Sequence, residues 1–343
     1  MENNNHLVDS YGRVAKKLRI SITDRCNMRC VYCLPSNNAK WLDQENLLSY
    51  EQIIRLAKIF VYLGIEKVKI TGGEPTVRSN VENLVKSLSS IKGLRSVSMT
   101  TNGLLIKDKI KILKDCGLES LNISLDTFKP DRFKAMSGGG SIDGFHKVIG
   151  AINTALDENL QLKVNVVIMR GWNDDEIPRF VKFSRETGCT VKFIEFMPLD
   201  GTGIWAEEIV VSKREMIARI NKDFIYHHHH LLPIDNDKSD PARLYTFDDG
   251  KGVIGFIPSI TEPFCQNCDR VRITADGKLY TCLFDKSSYN LKSLLEEEEG
   301  KTSDEDIIKY IRNSIQKKPE GIIKIIRTKS LRPTLNKMNT IGG

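Results

Sequence analysis

Six of the eight cysteines in this 343-residue chain fall into two tight groups. The first group is Cys26, Cys30 and Cys33, in the segment TDRCNMRCVYC, and the second group is Cys265, Cys268 and Cys282. Grouped thiols in a chain of this length are more typical of metal binding than of a disulfide framework. Each group offers three ligands, whereas a structural zinc ion needs four, and the nearest histidines, His6 and His230, lie far along the chain.

An iron–sulfur cluster explains a group of three cysteines. A [4Fe–4S] cluster held by three thiolates leaves one iron open, and an open iron can bind a small molecule. The sequence therefore predicts two [4Fe–4S] clusters, one for each group. Two other interpretations stay open here. The first group, spaced i, i+4 and i+7, would form a stripe of buried thiols on a helix, and the second would hold zinc with Asp269, Asp276 or a water as fourth ligand.

Two further motifs are suited to binding small molecules. In TGGEP, Gly72 and Gly73 allow a ligand to approach the backbone closely, and Glu74 offers a carboxylate to an ammonium group. In the segment RVR, Arg270 and Arg272 are separated by one residue, so both side chains project to the same side of an extended strand. Two such guanidinium groups suit a phosphate, although they would also compensate the negative charge of a cluster or form a solvated face.

The elements that position these motifs alternate along the chain. Strand patterns end at Ile22, Thr71, Thr101, Asp126, Met169 and Met197, and helical patterns cover residues 50–64, 80–91, 105–117, 143–159 and 174–188. Gly64, Gly117 and Gly188 stand where a helix end needs a left-handed residue. Six βα units predict parallel strands in an open barrel or a doubly wound sheet, with the chemistry at the carboxyl ends of the strands.

The sequence changes in character near residue 205, where we predict a domain boundary. Beyond it, the residues indicate a helix over 213–222 and a hairpin and strand over 247–260, followed by the second cysteine group. The net charge of +7 is not concentrated in one tract, so we expect a phosphorylated small molecule and no nucleic acid as partner. No apolar run approaches the ~20 residues of a membrane span, and the N-terminus lacks a secretory signal, so we expect no membrane association and a cytoplasmic location.

The cysteine loop after the first strand, followed by TGGEP, resembles the radical S-adenosylmethionine (SAM) superfamily. Within it, the segments TTNGLL, NISLD, KVNVVI, FIEFM, FCQNCDRVRITADGKLYTCLF and the final IGG resemble the GTP 3′,8-cyclase (molybdenum cofactor biosynthesis protein A) family over nearly the whole chain. This resemblance implies an α/β fold. Residues 1–205 would form an incomplete (βα)6 TIM-like radical SAM barrel with an N-terminal arm. Residues 206–343 would form a smaller α+β domain with an auxiliary [4Fe–4S] cluster and a Gly-Gly tail.

The resemblance also implies an activity. The family converts GTP to (8S)-3′,8-cyclo-7,8-dihydroguanosine 5′-triphosphate, the first step of molybdenum cofactor biosynthesis, with SAM and two [4Fe–4S] clusters as cofactors. It implies an electron donor, a downstream cyclic pyranopterin monophosphate synthase and a possible homodimer. The alternatives are a radical SAM peptide-modifying enzyme with an auxiliary cluster, and a zinc-containing regulatory or nucleic-acid-binding protein.

The site residues implied by the resemblance follow by position. Those for SAM are Tyr32, Gly73, Glu74, Ser124 and Met197; those for GTP are Arg19, Lys69, Thr100, Lys163, Arg270, Val271 and Arg272; the catalytic set is Arg270, Arg272, Gly342 and Gly343; the cluster ligands are Cys26, Cys30, Cys33, Cys265, Cys268 and Cys282. Lys69 departs from the family, which usually has arginine before Ile-Thr or Leu-Thr. Lysine keeps the positive charge but loses bidentate phosphate recognition.

Overall fold

The computed structural model describes residues 5–34, 41–199, 203–224, 229–296, 302–328 and 338–342. The strands are β1 Lys17–Ser21, β2 Lys67–Thr71, β3 Ser96–Thr101, β4 Ser120–Ser124, β5 Gln161–Ile168, β6 Thr190–Glu195, β7 Leu231–Ile234, β8 Arg243–Phe247, β9 Val253–Ile257, β10 Arg270–Ile273, β11 Lys278–Tyr280 and β12 Tyr289–Asn290. The helices are α1 Tyr50–Tyr62, α2 Val81–Ser89, α3 Ile110–Asp115, α4 Pro130–Met136, α5 Ile142–Asp157, α6 Ile177–Thr187, α7 Lys213–Phe224, α8 Lys292–Glu296, α9 Asp304–Gln316, α10 Ile322–Arg327 and α11 Met338–Ile341.

These strands form one sheet in the order β12-β11-β10-β1-β2-β3-β4-β5-β6-β9-β8-β7. The eight strands from β10 to β9 run parallel to one another, and the two pairs at the ends of the sheet, β11–β12 and β7–β8, are antiparallel. Parallel neighbours need long crossovers, which the helices between β1 and β6 supply. The predicted alternation of strands and helices and the α/β class are confirmed, and the short helix α4 is an addition that the pattern did not predict.

The two faces of the parallel strands have different environments. Alternate residues such as Ile20, Ile70, Val271 and Ile273 are fully buried in the core, together with the apolar side of α1 and the other helices. The residues between them in the sequence line one cavity, to which all eight parallel strands contribute. Because one face of every parallel strand borders the same cavity, the sheet must curve around it.

The helix ends follow the predicted glycine positions. Gly188, for example, has φ +72° and its N–H caps α6 by donating to the Ser184 carbonyl oxygen at 2.9 Å. Gly64 and Gly117 also have positive φ values, +92° and +95°. Glycine adopts the left-handed backbone conformation at these points without the steric cost that a Cβ imposes. The glycines that the sequence indicated as helix ends therefore have the expected conformation.

The C-terminal segment does not stand apart from the βα units. The predicted hairpin and strand are present as β8 and β9, and β9 pairs in parallel with β6, while β10 pairs in parallel with β1. The boundary near residue 205 stays a prediction, since strands from both sides of it belong to one sheet. None of the described helices has both the length and the apolar character that a bilayer crossing demands.

Candidate active site

The cavity on the concave face of the sheet measures about 560 Å³ and contains both cysteine groups in its walls. The first group follows the carboxyl end of β1. In the register of the sheet, Lys17 at the start of β1 pairs with Arg270, so Cys268 lies beyond the amino end of β1. Five residues of β1 span roughly 17 Å. The two groups therefore lie at opposite ends of one cavity.

The loop with the first cysteine group is not helical, which rules out the helical stripe of thiols. The Cys33 N–H donates to the Cys30 carbonyl oxygen at 2.9 Å, and Cys26 Sγ accepts from the Met28 N–H at 3.4 Å. Burial, and next the charge of Cys26, raises the pKa of Cys33 to about 12, and burial, and next the charge of Cys33, raises the pKa of Cys30 well above its ordinary value. Only thiolates ligate metal, so a cluster here must displace protons from these thiols.

Gly73 holds the cysteine loop in place. A Cβ at this position would lie 2.5 Å from the Asp24 carbonyl oxygen and would also collide with the Arg25 carbonyl. The Gly73 N–H donates to the Thr23 carbonyl oxygen at 2.6 Å. From the sequence, we expected Gly73 to let a ligand approach the backbone closely. The structure shows that the cysteine loop itself lies close to the backbone at this position.

Glu74 is buried and its carboxylate is already engaged by the protein. One oxygen accepts from the Thr76 N–H at 3.0 Å, the Thr76 hydroxyl at 2.6 Å and the Thr101 hydroxyl at 2.7 Å; the other accepts from the Asn102 N–H at 2.6 Å. These four bonds use about the full accepting capacity of a carboxylate. Glu74 thus joins the loops after β2 and β3, and its predicted contact with an ammonium group stays a prediction.

The other residues predicted for SAM lie around the first cysteine group. Tyr32, Ser124 and Met197 all line the cavity. The Tyr32 hydroxyl donates to Asp126 Oδ2 at 2.6 Å, and the Val167 N–H donates to the other carboxylate oxygen at 2.8 Å. Burial raises the pKa of Asp126 to about 6, although these two donors lower it. Sequence reasoning missed Asp126 as a site residue, even though it ends the quoted strand segment NISLD.

Cations from several strands face the middle of the cavity. The register sets Arg19 between Arg272 on one side and Lys69 on the other. Burial and then the charges of Arg272 and Arg270 lower the pKa of Arg19. Burial and then Arg19 lower the pKa of Lys69. Like charges held together in this way favour a polyanionic ligand, which would relieve their repulsion.

Sequence reasoning found only part of this cationic set. Lys163 and the neutral Thr100, both predicted to contact GTP, line the cavity, and so do three lysines that were not predicted, Lys17, Lys67 and Lys192. Burial, and next the charge of Lys163, lowers the pKa of Lys192 to about 8. A signal was present in the sequence, because these lysines alternate with apolar residues in their strands.

The second cysteine group lies against cationic side chains. Burial raises the pKa of Cys268, but the charges of Arg270 and Lys318 outweigh this effect and lower it to about 7. Burial raises the pKa of Cys282 to about 11. The Arg270 guanidinium lies 4.3 Å from the centre of the Phe264 ring. The two cysteine groups therefore have opposite electrostatic surroundings, acidic at the first and basic at the second.

The C-terminal tail enters the same cavity. Arg272 Nη1 donates to the Gly342 carbonyl oxygen at 2.6 Å, and a Cβ at Gly342 would collide with the Thr71 hydroxyl. Gly343 lies outside the described residues. Val271 is fully buried in the core on the opposite face of β10, so its side chain does not line the cavity.

Comparison with known proteins agrees with this arrangement. The model of the Radical SAM superfamily matches residues 20–184, and the model named Molybdenum Cofactor Synthesis C matches residues 189–323. The GTP 3′,8-cyclase of Thermodesulfovibrio yellowstonii is 41% identical over 337 residues, which cover 98% of this chain and 99% of that protein. The chain belongs to the GTP 3′,8-cyclase family.

Two further comparisons, with a curated relative and with a solved structure, extend this result. The mitochondrial GTP 3′,8-cyclase of Arabidopsis thaliana is 39% identical over 98% of this chain and 83% of that protein. The solved structure of Streptococcus suis SuiB bound to precursor peptide SuiA has a TM-score of 0.63 at 16% identity, over 99% of this chain and 77% of that chain, which shows a shared fold. Membership of the GTP 3′,8-cyclase family brings SAM, a radical SAM [4Fe–4S] cluster and a second cluster in the C-terminal region as cofactors.

Proposed function

We propose that this chain is a GTP 3′,8-cyclase, which converts GTP to (8S)-3′,8-cyclo-7,8-dihydroguanosine 5′-triphosphate in the first step of molybdenum cofactor biosynthesis. The observation that carries the proposal is the placement of two incomplete three-thiol groups at opposite ends of one cavity with cations between them. This arrangement suits a reaction in which SAM and a nucleotide triphosphate occupy one chamber.

The residues present fit the two clusters. All six thiols line the cavity, three in each group. Arg270 Nε and Asn339 Oδ1, both in the cavity wall, are buried with no hydrogen-bond partner among the described residues, as is expected of groups that meet a ligand. Cys26, Cys30 and Cys33 would hold one cluster, and Cys265, Cys268 and Cys282 the other.

A cluster held by Cys26, Cys30 and Cys33 would, with SAM and one electron from a donor, supply a 5′-deoxyadenosyl radical for removal of the ribose 3′ hydrogen of GTP, the chemistry that leads to the C3′–C8 bond. The protein binds and orients both molecules. Tyr32, Gly73, Glu74, Ser124 and Met197, all of which line the cavity, would contact SAM. Such positioning contributes several orders of magnitude to the rate when the reacting atoms are held in contact.

The cationic strands hold the nucleotide. Arg19, Lys69 and Lys163 would contact the triphosphate with Arg270 and Arg272, and Thr100 would add a hydroxyl donor. Val271 would contribute through its backbone alone, because its side chain lies in the core. Arg272 also donates a hydrogen bond to the Gly342 carbonyl oxygen of the C-terminal tail, so the tail and the nucleotide would both contact one guanidinium group. Gly343, the next residue, would extend the tail toward the reacting atoms.

The test is an anaerobic reaction of the reconstituted protein with dithionite, SAM and GTP. We expect 5′-deoxyadenosine and the cyclised nucleotide in equal amounts. Formation of 5′-deoxyadenosine with GTP unchanged would refute the substrate assignment. A peptide-modifying activity, the alternative, has no support beyond the fold shared with SuiB.

The remaining parts of the proposal rest on the family resemblance. They are an electron donor for the clusters, a downstream cyclic pyranopterin monophosphate synthase, a cytoplasmic location and a homodimer. Light scattering on the purified chain tests the homodimer directly.

A further inference from the structure

Lys318 is a buried lysine beside the second cysteine group. It follows α9, and its side chain is 3% exposed. Its ammonium donates to the carbonyl oxygens of Cys268 and Arg270, at 3.0 Å each. Among the described residues, no carboxylate lies within 4.0 Å of this ammonium. A full positive charge is therefore buried against neutral acceptors.

Two other cations of the protein, by contrast, have a carboxylate partner. Arg13 donates to Asp9 at 2.6 Å, and Lys17 lies 3.0 Å from Asp269. Burying an uncompensated charge costs several kcal/mol per ion, so an ammonium in this position indicates an anion nearby. The second cysteine group supplies groups that can carry negative charge, because the Lys318 ammonium donates to the carbonyl oxygen of Cys268, one of the proposed cluster ligands.

The segment with Lys318 packs against the second cysteine group. Gly321 has φ +116°, and a Cβ there would lie 2.6 Å from Cys265 Sγ. Arg13 donates to the carbonyl oxygens of Cys265 and Glu320 at 3.0 Å each, and to that of Pro319 at 2.7 Å. These bonds hold residues 318–321 against the cysteine loop, so the ammonium has one defined position.

Lys318 differs from the cations expected to bind GTP. Arg270 and Arg272 line the cavity, whereas Lys318 is absent from its walls. A substrate in the cavity would neutralise the two arginines and leave the charge of Lys318 in place. Its charge therefore acts on the cysteine group throughout the reaction.

We propose that Lys318 is a positioning residue whose charge compensates the second cluster and raises its reduction potential. The inference rests on the proposed binding of a cluster by Cys265, Cys268 and Cys282. A fixed positive charge stabilises the reduced cluster more than the oxidised cluster, because reduction adds a negative charge. The two carbonyl contacts hold the ammonium at the cysteine loop and add no charge of their own.

The experiment isolates the second cluster by replacing Cys26, Cys30 and Cys33 with alanine in the full chain. Iron analysis first establishes that the second cluster is present, and a potentiometric titration followed by electron paramagnetic resonance then gives its midpoint potential. Lys318→Gln removes the charge but keeps donors for the two carbonyls, and Lys318→Arg keeps the charge. Lys292→Gln is the control for loss of a lysine that has a carboxylate partner, because the Lys292 ammonium donates to the Glu45 carbonyl at 2.7 Å, lies 3.0 Å from Glu296 and belongs to a side chain that is 12% exposed.

We expect the ratio of reduced to oxidised cluster at a fixed potential to fall at least tenfold in Lys318→Gln, which is about 59 mV for one electron. Lys318→Arg and Lys292→Gln should match the parent. Loss of the cluster in Lys318→Gln with retention in Lys318→Arg would equally support a requirement for the charge.

Two results would overturn the inference. One is an unchanged midpoint potential in Lys318→Gln. The other is an equal change of the midpoint potential in Lys318→Gln and Lys318→Arg, which would indicate a steric role. If Lys318→Gln does not fold, Lys318→Met takes its place in the same comparison. If the parent chain binds no second cluster, the proposed ligation is wrong, and this outcome is distinct from an unaltered potential.

Discussion

Replacing Glu74 by glutamine is expected to destabilise the protein even when no cluster, SAM or GTP is bound. The side chain is 1% exposed, and its two oxygens accept hydrogen bonds from Thr76, Thr101 and Asn102. A glutamine amide keeps one accepting oxygen, but its nitrogen carries two hydrogens and accepts none. At least one of the buried donors that now bind the Glu74 carboxylate would therefore face the NH2 group of the glutamine.

The magnitude follows from these contacts. A hydrogen bond to a charged group contributes about 1.5–3 kcal/mol, and a buried donor left unpaired costs about 1–3 kcal/mol. Removing the buried charge offsets part of this loss, because burial raises the pKa of Glu74. We expect a net loss of about 2 kcal/mol. At about 2.1 cal/mol/K per residue, a chain of 343 residues has an unfolding entropy of about 0.7 kcal/mol/K, so Tm falls by about 3 °C.

The assay is thermal unfolding of the cluster-free protein, followed by circular dichroism, together with SAM binding to the reconstituted protein. Glu66→Gln is the matched control, because the Glu66 side chain is 22% exposed and forms surface ion pairs with Lys16 and Arg95. Such pairs contribute less than about 1 kcal/mol. An unchanged Tm of cluster-free Glu74→Gln, combined with weaker SAM binding, would refute the structural role and leave Glu74 as a ligand contact alone.

Three further changes test other parts of the molecule. Gly73→Ala should lower the iron content from about eight to about four atoms per chain, because a Cβ would lie 2.5 Å from the Asp24 carbonyl oxygen and displace the first cysteine loop; full iron content in chemical analysis would contradict this. Lys69→Arg should lower the KM for GTP several-fold at unchanged kcat, since a guanidinium binds phosphate through two hydrogen bonds; an unchanged KM in steady-state kinetics would place Lys69 away from phosphate. Burial raises the pKa of Glu215, but the Ser212 N–H and Arg170 outweigh it and lower that pKa to about 2, so this carboxylate stabilises the protein above pH 4.5 and loses that effect as the pH falls toward 2. Because the side chain is 41% exposed, Glu215→Gln should cost less than about 1 kcal/mol at pH 7 and progressively less toward pH 2 in denaturant titrations; a cost independent of pH would exclude the ionised carboxylate as its source.

The strand and helix pattern was predictable because hydrophobic periodicity reports local geometry. The predicted strand ends at Thr71 and Thr101 coincide with the ends of β2 and β3. Helix α4 was missed, since its seven residues bury only Phe133 and Met136 and give too short a period to detect. Pairing between β10 and β1 was also beyond prediction, because no local signal records which distant strands become neighbours.

The site residues likewise divide into those that local spacing identifies and those that depend on contacts between distant parts of the chain. Spacing identified the cysteines and the two arginines of RVR, because ligands of one loop or strand lie close together in sequence. Gly73 was singled out for the close approach of a ligand; the structure shows crowding by the cysteine loop, and the contact with SAM stays a prediction. Asp126, Lys192 and Lys318 were missed as site residues, because their importance depends on side chains far away along the chain.

By itself, the amino-acid sequence determined the metal-binding chemistry, the alternation of strands and helices, and the resemblance to a family. Only the tertiary structure decided that both cysteine groups open into one cavity, that Glu74 is engaged by the protein, and that the Lys318 ammonium lies beside the second group. The physical reason is that side-chain chemistry and backbone period act over a few residues. Burial of apolar surface, by contrast, joins segments from both ends of the chain and fixes which charges become neighbours.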